Sequence, residues 1–132
     1  MNRVLVVEDE EFLAKALKDS LSFEGYAVDV VGNGDEAINK VRSDKPNIIL
    51  LDLLLPKKSG LEVVEEIKSD PDLRLIPVIV LSNLSGDAEI KRALEIGADD
   101  YFVKSQHPIE EVIDRVKGYI EGARKPTKNV SF

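Results

Sequence analysis

The sequence predicts an open α/β fold, a parallel five-stranded sheet with helices on both faces, and three observations carry that prediction. Short Val- and Ile-rich runs alternate with helix-period segments along almost the whole chain. Three of the five runs are apolar nearly throughout, as strands covered on both faces must be. Each run leads into one amphipathic segment, and strand, helix, strand connections with right-handed crossovers build a parallel sheet.

"RVLVVE" (3–8) is the first strand, and "EFLAKALKDSLSFEG" (11–25) the first helix, with Phe12, Ala16, Leu17 and Leu21 at steps that share a face and Gly25 as its stop. "YAVDVV" (26–31) and "NGDEAINKVRSD" (33–44) repeat the unit, as do "NIILLD" (47–52) and "GLEVVEEIKSD" (60–70). "IPVIVLS" (76–82) precedes "GDAEIKRALEIG" (86–97), and "DYFVK" (100–104) precedes "PIEEVIDRVKGYI" (108–120). Beyond Ile120 the apolar period dissolves into "EGARKPTKNVSF", so the expected organisation is one folded domain over 1–121 and a tail or linker stub over 122–132.

Composition narrows the function classes. A chain of 132 residues fits one domain with a single core, and 43% hydrophobic with 33% charged residues describes a globular protein with a well-solvated surface. The 18 basic against 25 acidic residues give −7, which argues against direct nucleic-acid binding and against an anionic membrane as partner. Arg124, Lys125 and Lys128 are too few to reverse that. No apolar run reaches the roughly 18 residues of a membrane span, and "MNRVLVVEDE" lacks the order of a signal peptide, so the expected location is cytoplasmic. The absence of cysteine removes disulfides, thiolate metal sites and cysteine nucleophiles.

One carboxylate stands out. In "NIILLDLLLPKKSG" (47–60), Asp52 interrupts an apolar run, where a lone carboxylate is costly to bury unless something pairs with it. The other strands explain it: the first ends in Glu8-Asp9-Glu10, the fourth in Ser82 and the fifth in Lys104. Open α/β sheets bind ligands at this edge, where the strand order reverses, and the order 2-1-3-4-5 sets Asp9 beside Asp52. Converging carboxylates need a cation between them. A few oxygen ligands without His or Cys suit Mg²⁺, while a lysine and a hydroxyl add donors for a phosphoryl group on or beside Asp52. Glu10 and Glu11 read more simply as the acidic first turn of a helix.

Together these pieces resemble the receiver domain of two-component response regulators over residues 3 to about 121: "VVEDEE" for the acidic pair, "LLDLLLPKKSG" with Pro56 and Gly60, "VIVLSN" for the hydroxyl, and "GADDYFVK" for the lysine and Tyr101. The resemblance implies a (βα)5 flavodoxin-like sheet, and a regulatory domain rather than a general enzyme. Asp52 is then the phospho-acceptor, served by a sensor histidine kinase or phosphotransfer protein. Glu8, Asp9, Asp52 and the backbone carbonyl of Leu54 would hold Mg²⁺, Ser82 and Lys104 would take the phosphoryl oxygens, and Ser82 with Tyr101 would switch the surface of helix four, strand five and helix five toward an output partner or domain. Leu54 and Leu84 occupy positions that flank the approach of the hydrolytic water in this family. Three positions depart from the family pattern: Ser105 stands where proline is usual and a cis peptide precedes it, Asn83 where a small residue is usual, and Glu8 where many members have aspartate.

Simpler readings stand beside these. Tyr101 reads equally as a packing aromatic, His107 as an exposed loop residue, and Lys57-Lys58 as a solvated turn. Asp99, Asp100, Arg92 and Glu110 are similar to the charged set of a phosphorylation-dependent homodimer, but Asp114 stands where that set wants arginine. A pseudo-receiver that docks without phosphorylation conflicts with intact Asp9, Asp52, Ser82 and Lys104. A flavin site wants a Ser/Thr/Gly-rich loop after the first strand, where this chain is acidic, and an aspartate-based phosphatase wants Asp at position 54, which is leucine.

Overall fold

A computed structural model describes residues 2–122; of the tail expected over 122–132, Gly122 caps α5 and residues 123–132 lie outside the described residues. Five strands alternate with five helices: β1 (Arg3–Val7), α1 (Glu11–Phe23), β2 (Ala27–Val31), α2 (Gly34–Asp44), β3 (Ile48–Leu51), α3 (Gly60–Ser69), β4 (Val78–Ser82), α4 (Asp87–Glu95), β5 (Asp100–Val103) and α5 (Ile109–Glu121). All neighbouring strands pair in parallel, in the order β2-β1-β3-β4-β5. This is the doubly wound sheet that the sequence predicts, with strand ends shifted by one or two residues.

Side chains alternate across the sheet and build two cores. Leu5, Val7, Ile49, Leu51, Val78 and Val80 face one way, against α2, α3 and α4. Val4, Val6, Ile48, Leu50, Ile79, Leu81 and Phe102 face the other, against Leu17 and Leu21 of α1 and Val112, Ile113 and Val116 of α5. The buried face of α1 is Ala14, Leu17 and Leu21, which corrects the expected face in part: Phe12 is 90% exposed. Phe12 is a step of four from Ala16, but Ala16 itself lies at the half-buried margin of the face, and at 100° per residue Phe12 falls about 140° around the helix from Leu17.

Local chemistry fixes the helix starts near the functional edge. Asn33 Oδ1 accepts the Glu36 N–H at 2.9 Å, and Ser59 with Glu62 forms a reciprocal capping box at the start of α3. The loop between β3 and α3 turns through Lys57, whose φ of 69° is left-handed, and Lys58 is not the simple solvated residue expected but ion-pairs with Glu66. Gly60 lies directly over the residue that matters most: a Cβ there would overlap the carbonyl oxygen of Asp52 and the Cα of Leu53. Gly60→Ala is therefore expected to destabilise the domain by about 1–3 kcal/mol through overpacking, read as a lower urea midpoint at unchanged slope.

Candidate functional site

Glu8, Asp52 and Lys104 each lie one residue beyond a strand, with the backbone still pinned to the next one. The Glu8 N–H donates to Val31 O at 3.0 Å, the Asp52 N–H to Val7 O at 3.0 Å and the Lys104 N–H to Ser82 O at 2.9 Å. The sheet thus fixes three main chains while their side chains emerge past its edge. Strand alternation gives all three the parity of Val6, Leu50 and Phe102, so they converge; Ser82 and Tyr101 share the opposite parity and meet on the other side.

Lys104 Nζ lies 2.9 Å from Asp52 Oδ2 and 3.0 Å from Glu8 Oε1, with Glu10 Oε1 at 3.6 Å. Glu8 and Asp52 are buried, while Asp9 is exposed. One carboxylate oxygen from each of Glu8, Asp9 and Asp52 falls within 4.8 Å of the others. A second Glu8 contact comes from the Glu10 N–H, and Asp52 Oδ1 accepts the Leu54 N–H at 3.2 Å. Glu10 is thus nearer the site than a plain first-turn residue, as the N-cap position of α1.

The charges do not balance, and titration behaviour follows. Burial pushes the Glu8 carboxyl above its ordinary value, and the nearby Asp52 charge adds to this, although the Lys104 and Glu10 hydrogen bonds oppose it. Burial alone would lower Lys104, but its hydrogen bonds to Asp52 and Glu8 outweigh that and hold it above its ordinary value. One ammonium shared by two buried carboxylates leaves a net negative charge at the edge. This donor set of hard oxygens with excess negative charge fits Mg²⁺.

Across the edge, Ser82 is fully buried and its Oγ accepts the Leu84 N–H at 3.3 Å. The Tyr101 hydroxyl donates to Leu84 O at 2.5 Å, and burial raises the Tyr101 pKa against the opposing hydrogen bond with Ser82. Tyr101 is thus half-buried and tied to the loop that follows Ser82. Leu54 is 56% exposed beside Asp52, and Leu84 is partly buried.

A family profile described as "Response regulator receiver domain" matches residues 4–117. The chain belongs to the response regulator receiver family. The receiver is 37% identical over 123 residues to the probable transcriptional regulator ycf27 of Guillardia theta, an alignment covering 93% of this chain and 47% of that protein. It therefore spans about half the length of the curated relatives it matches. Among solved structures it resembles the signal receiver domain of a histidine kinase from Syntrophus aciditrophicus, at 35% identity, a TM-score of 0.85 and coverage of 100% of this chain and 98% of that one. It also resembles the phosphorylated cyanobacterial phytochrome response regulator RcpA, at 34% identity, a TM-score of 0.77 and coverage of 91% of each chain.

Outside the acidic edge, one of the simpler readings is corrected. His107 is half-buried rather than exposed, a placement no sequence signal announced. Every described peptide is trans, including the one before Ser105. Asp99 is engaged within the chain by Lys68 and the Val78 N–H, and Asp100 by Arg115. Among the described residues, no helix is long and apolar enough to cross a membrane.

The raised Glu8 carboxyl gives a signed pH dependence for the metal-free receiver. A folded-state pKa above the unfolded 4.5 means the folded state binds this proton more tightly, so Glu8 adds stability as pH falls through its raised value, and the gain is complete below 4.5. Glu8→Gln is expected to remove that component, so the difference between wild-type and variant urea stabilities changes with pH in the weakly acidic range above 4.5. A constant difference there refutes the assignment.

Proposed function

We propose that this receiver accepts a phosphoryl group on Asp52 from a partner histidine kinase or phosphotransfer protein, with Mg²⁺, and thereby switches an output surface. The observation that carries the reading is the buried Asp52 carboxylate, held 2.9 Å from Lys104 beside a second acidic pair. An Asp52 oxygen would attack phosphorus, the phosphorus–nitrogen bond of the donor would break, and its imidazole would leave with the electron pair and take up a proton. Glu8, Asp9, Asp52 and the Leu54 carbonyl are the groups we assign to Mg²⁺, which would supply charge neutralisation at the phosphoryl oxygens. Lys104 and the Ser82 hydroxyl would bind those oxygens once formed.

Phosphorylation replaces a carboxylate by a group of about −1.5 to −2 charge with three acceptor oxygens. Ser82 and Lys104 would be drawn to it, and Tyr101 of β5 is bonded to the loop after Ser82, which would link the site to the surface of α4, β5 and α5. The output would be an attached effector domain, a separate partner or a phosphorylation-dependent homodimer, and the setting the cytoplasm.

The direct test is intact mass after incubation with acetyl phosphate and Mg²⁺. Wild type is expected to gain one phosphoryl mass and Asp52→Asn none while remaining folded; a phosphorylated Asp52→Asn chain sinks the assignment.

Lifetime of the mark supplies another prediction. Leu54 and Leu84 are apolar and cannot orient an attacking water, and losing a positioning group commonly costs about ten- to a thousandfold in rate. Phospho-Asp52 is expected to be long-lived after the donor is removed, and Leu54→Asn or Leu84→Glu to shorten its decay. A wild-type half-life of seconds, or no acceleration in these variants, shows that the two leucines do not control hydrolysis.

A further inference from the structure

The chain has one histidine, and the phosphoryl chemistry does not use it. His107 lies in the loop from β5 to α5, three residues after Lys104, and its Nδ1 is 3.1 Å from Val103 N and 3.2 Å from Val103 O. Hydrogen-bond capacity decides between these contacts. Val103 O already accepts two backbone donors, from Gln106 at 2.9 Å and His107 at 3.1 Å, which use both its lone pairs. The Val103 N–H has the opposite problem. Because the Lys104 N–H points to β4, strand alternation turns the Val103 N–H outward, and β5 is the last strand of the sheet. Val103 is only 4% exposed, so its N–H needs a partner within the protein. The tautomer with hydrogen on Nε2 and a lone pair on Nδ1 supplies one. Edge-on packing of the His107 ring with Phe102, at 5.2 Å between centroids, holds the ring in place.

We propose that His107 is a positioning residue for the phosphoryl site, its Nδ1 accepting the Val103 N–H to lock the loop after β5 and fix Lys104 against Asp52. The idea rests on the phosphoryl reading of the site. Val103 immediately precedes Lys104, so the residue before the lysine is gripped from outside the sheet by the ring and main chain of His107, while the lysine's own N–H is gripped from inside by Ser82. A trans peptide precedes Ser105, and the histidine provides the constraint on this loop. Lys104 bears on both buried carboxylates, so small displacements of its backbone would be felt at Glu8 and Asp52 together.

The test uses the full chain and two readouts: amide exchange of Val103 in metal-free protein, and the Asp52 phosphorylation rate over a range of acetyl phosphate concentrations with Mg²⁺. His107→Ala is expected to speed Val103 exchange by about 5- to 150-fold, the population shift that an unpaired buried N–H produces, while amides of β1 and β3 keep their protection. The same variant lowers the maximal phosphorylation rate several-fold, and adds no further loss in a Lys104→Ala background. His107→Asn, whose Oδ1 stands where Nδ1 stood, restores both readouts. Unchanged exchange or an unchanged rate in His107→Ala overturns the proposal, as does an Asn variant that behaves like Ala. A wild-type chain that gains no phosphoryl mass instead overturns the phosphoryl reading, and the role of His107 in that reaction with it, while the exchange result still decides the hydrogen bond.

Discussion

Two buried carboxylates share one lysine, and much of the functional edge is arranged around that unequal pairing. Glu8 and Asp52 are both buried at the end of the sheet, where carboxylates are costly to desolvate, and Lys104 supplies one positive charge for two acidic groups. The remaining negative charge leaves Glu8, Asp9 and Asp52 as an acidic cluster that could hold a further cation. Under the proposed function, a change in charge on Asp52 would also act on Lys104, which contacts both carboxylates. A fully neutralised cluster would be a structural ion pair and nothing more.

The fold delivers this cluster by a simple device. The last ladder hydrogen bonds of β1, β3 and β5 are made by the N–H of the functional residue itself, so position is rigid while the side chain projects past the sheet. Parity does the sorting: the charged residues converge on one side, and Ser82 with Tyr101 on the other. Gly60 and the capping box of α3 then bring the β3–α3 loop close over Asp52, which a side chain at position 60 would prevent.

Relatives place the domain in signalling but leave its output open, since curated relatives are about twice as long and solved neighbours include a receiver from a histidine kinase as well as a phosphorylated response regulator. Within the domain, the acidic residues that resemble a dimer's charged set are bonded internally: Asp100 to Arg115 and Asp99 to Lys68. Arginine one step from the expected position on α5 is therefore matched to its own chain. Any assembly through this face would begin by competing with those contacts.

The alternation of strands and helices and the residues of the acidic edge were legible in the sequence, because β-rich runs bounded by polar chemistry carry their own period and because a lone Asp52 in an apolar run needs partners, whereas the sheet order was legible only through the resemblance to receiver domains. Element ends were legible only to within a residue or two, since the final hydrogen bond of a ladder depends on the neighbouring strand. The phase of α1 was misread through Phe12, because its step of four leads to Ala16, a residue at the margin of the buried face rather than at its centre. His107 and Lys58 could not be read at all: their partners are a backbone N–H and Glu66, and nothing local marks either residue as paired. Sequence determined which chemical groups arrive at the edge, through pattern and composition. Tertiary structure alone decided how many charges meet there, which stay unbalanced and which side chains hold the loops in place, because those depend on distances between segments far apart along the chain.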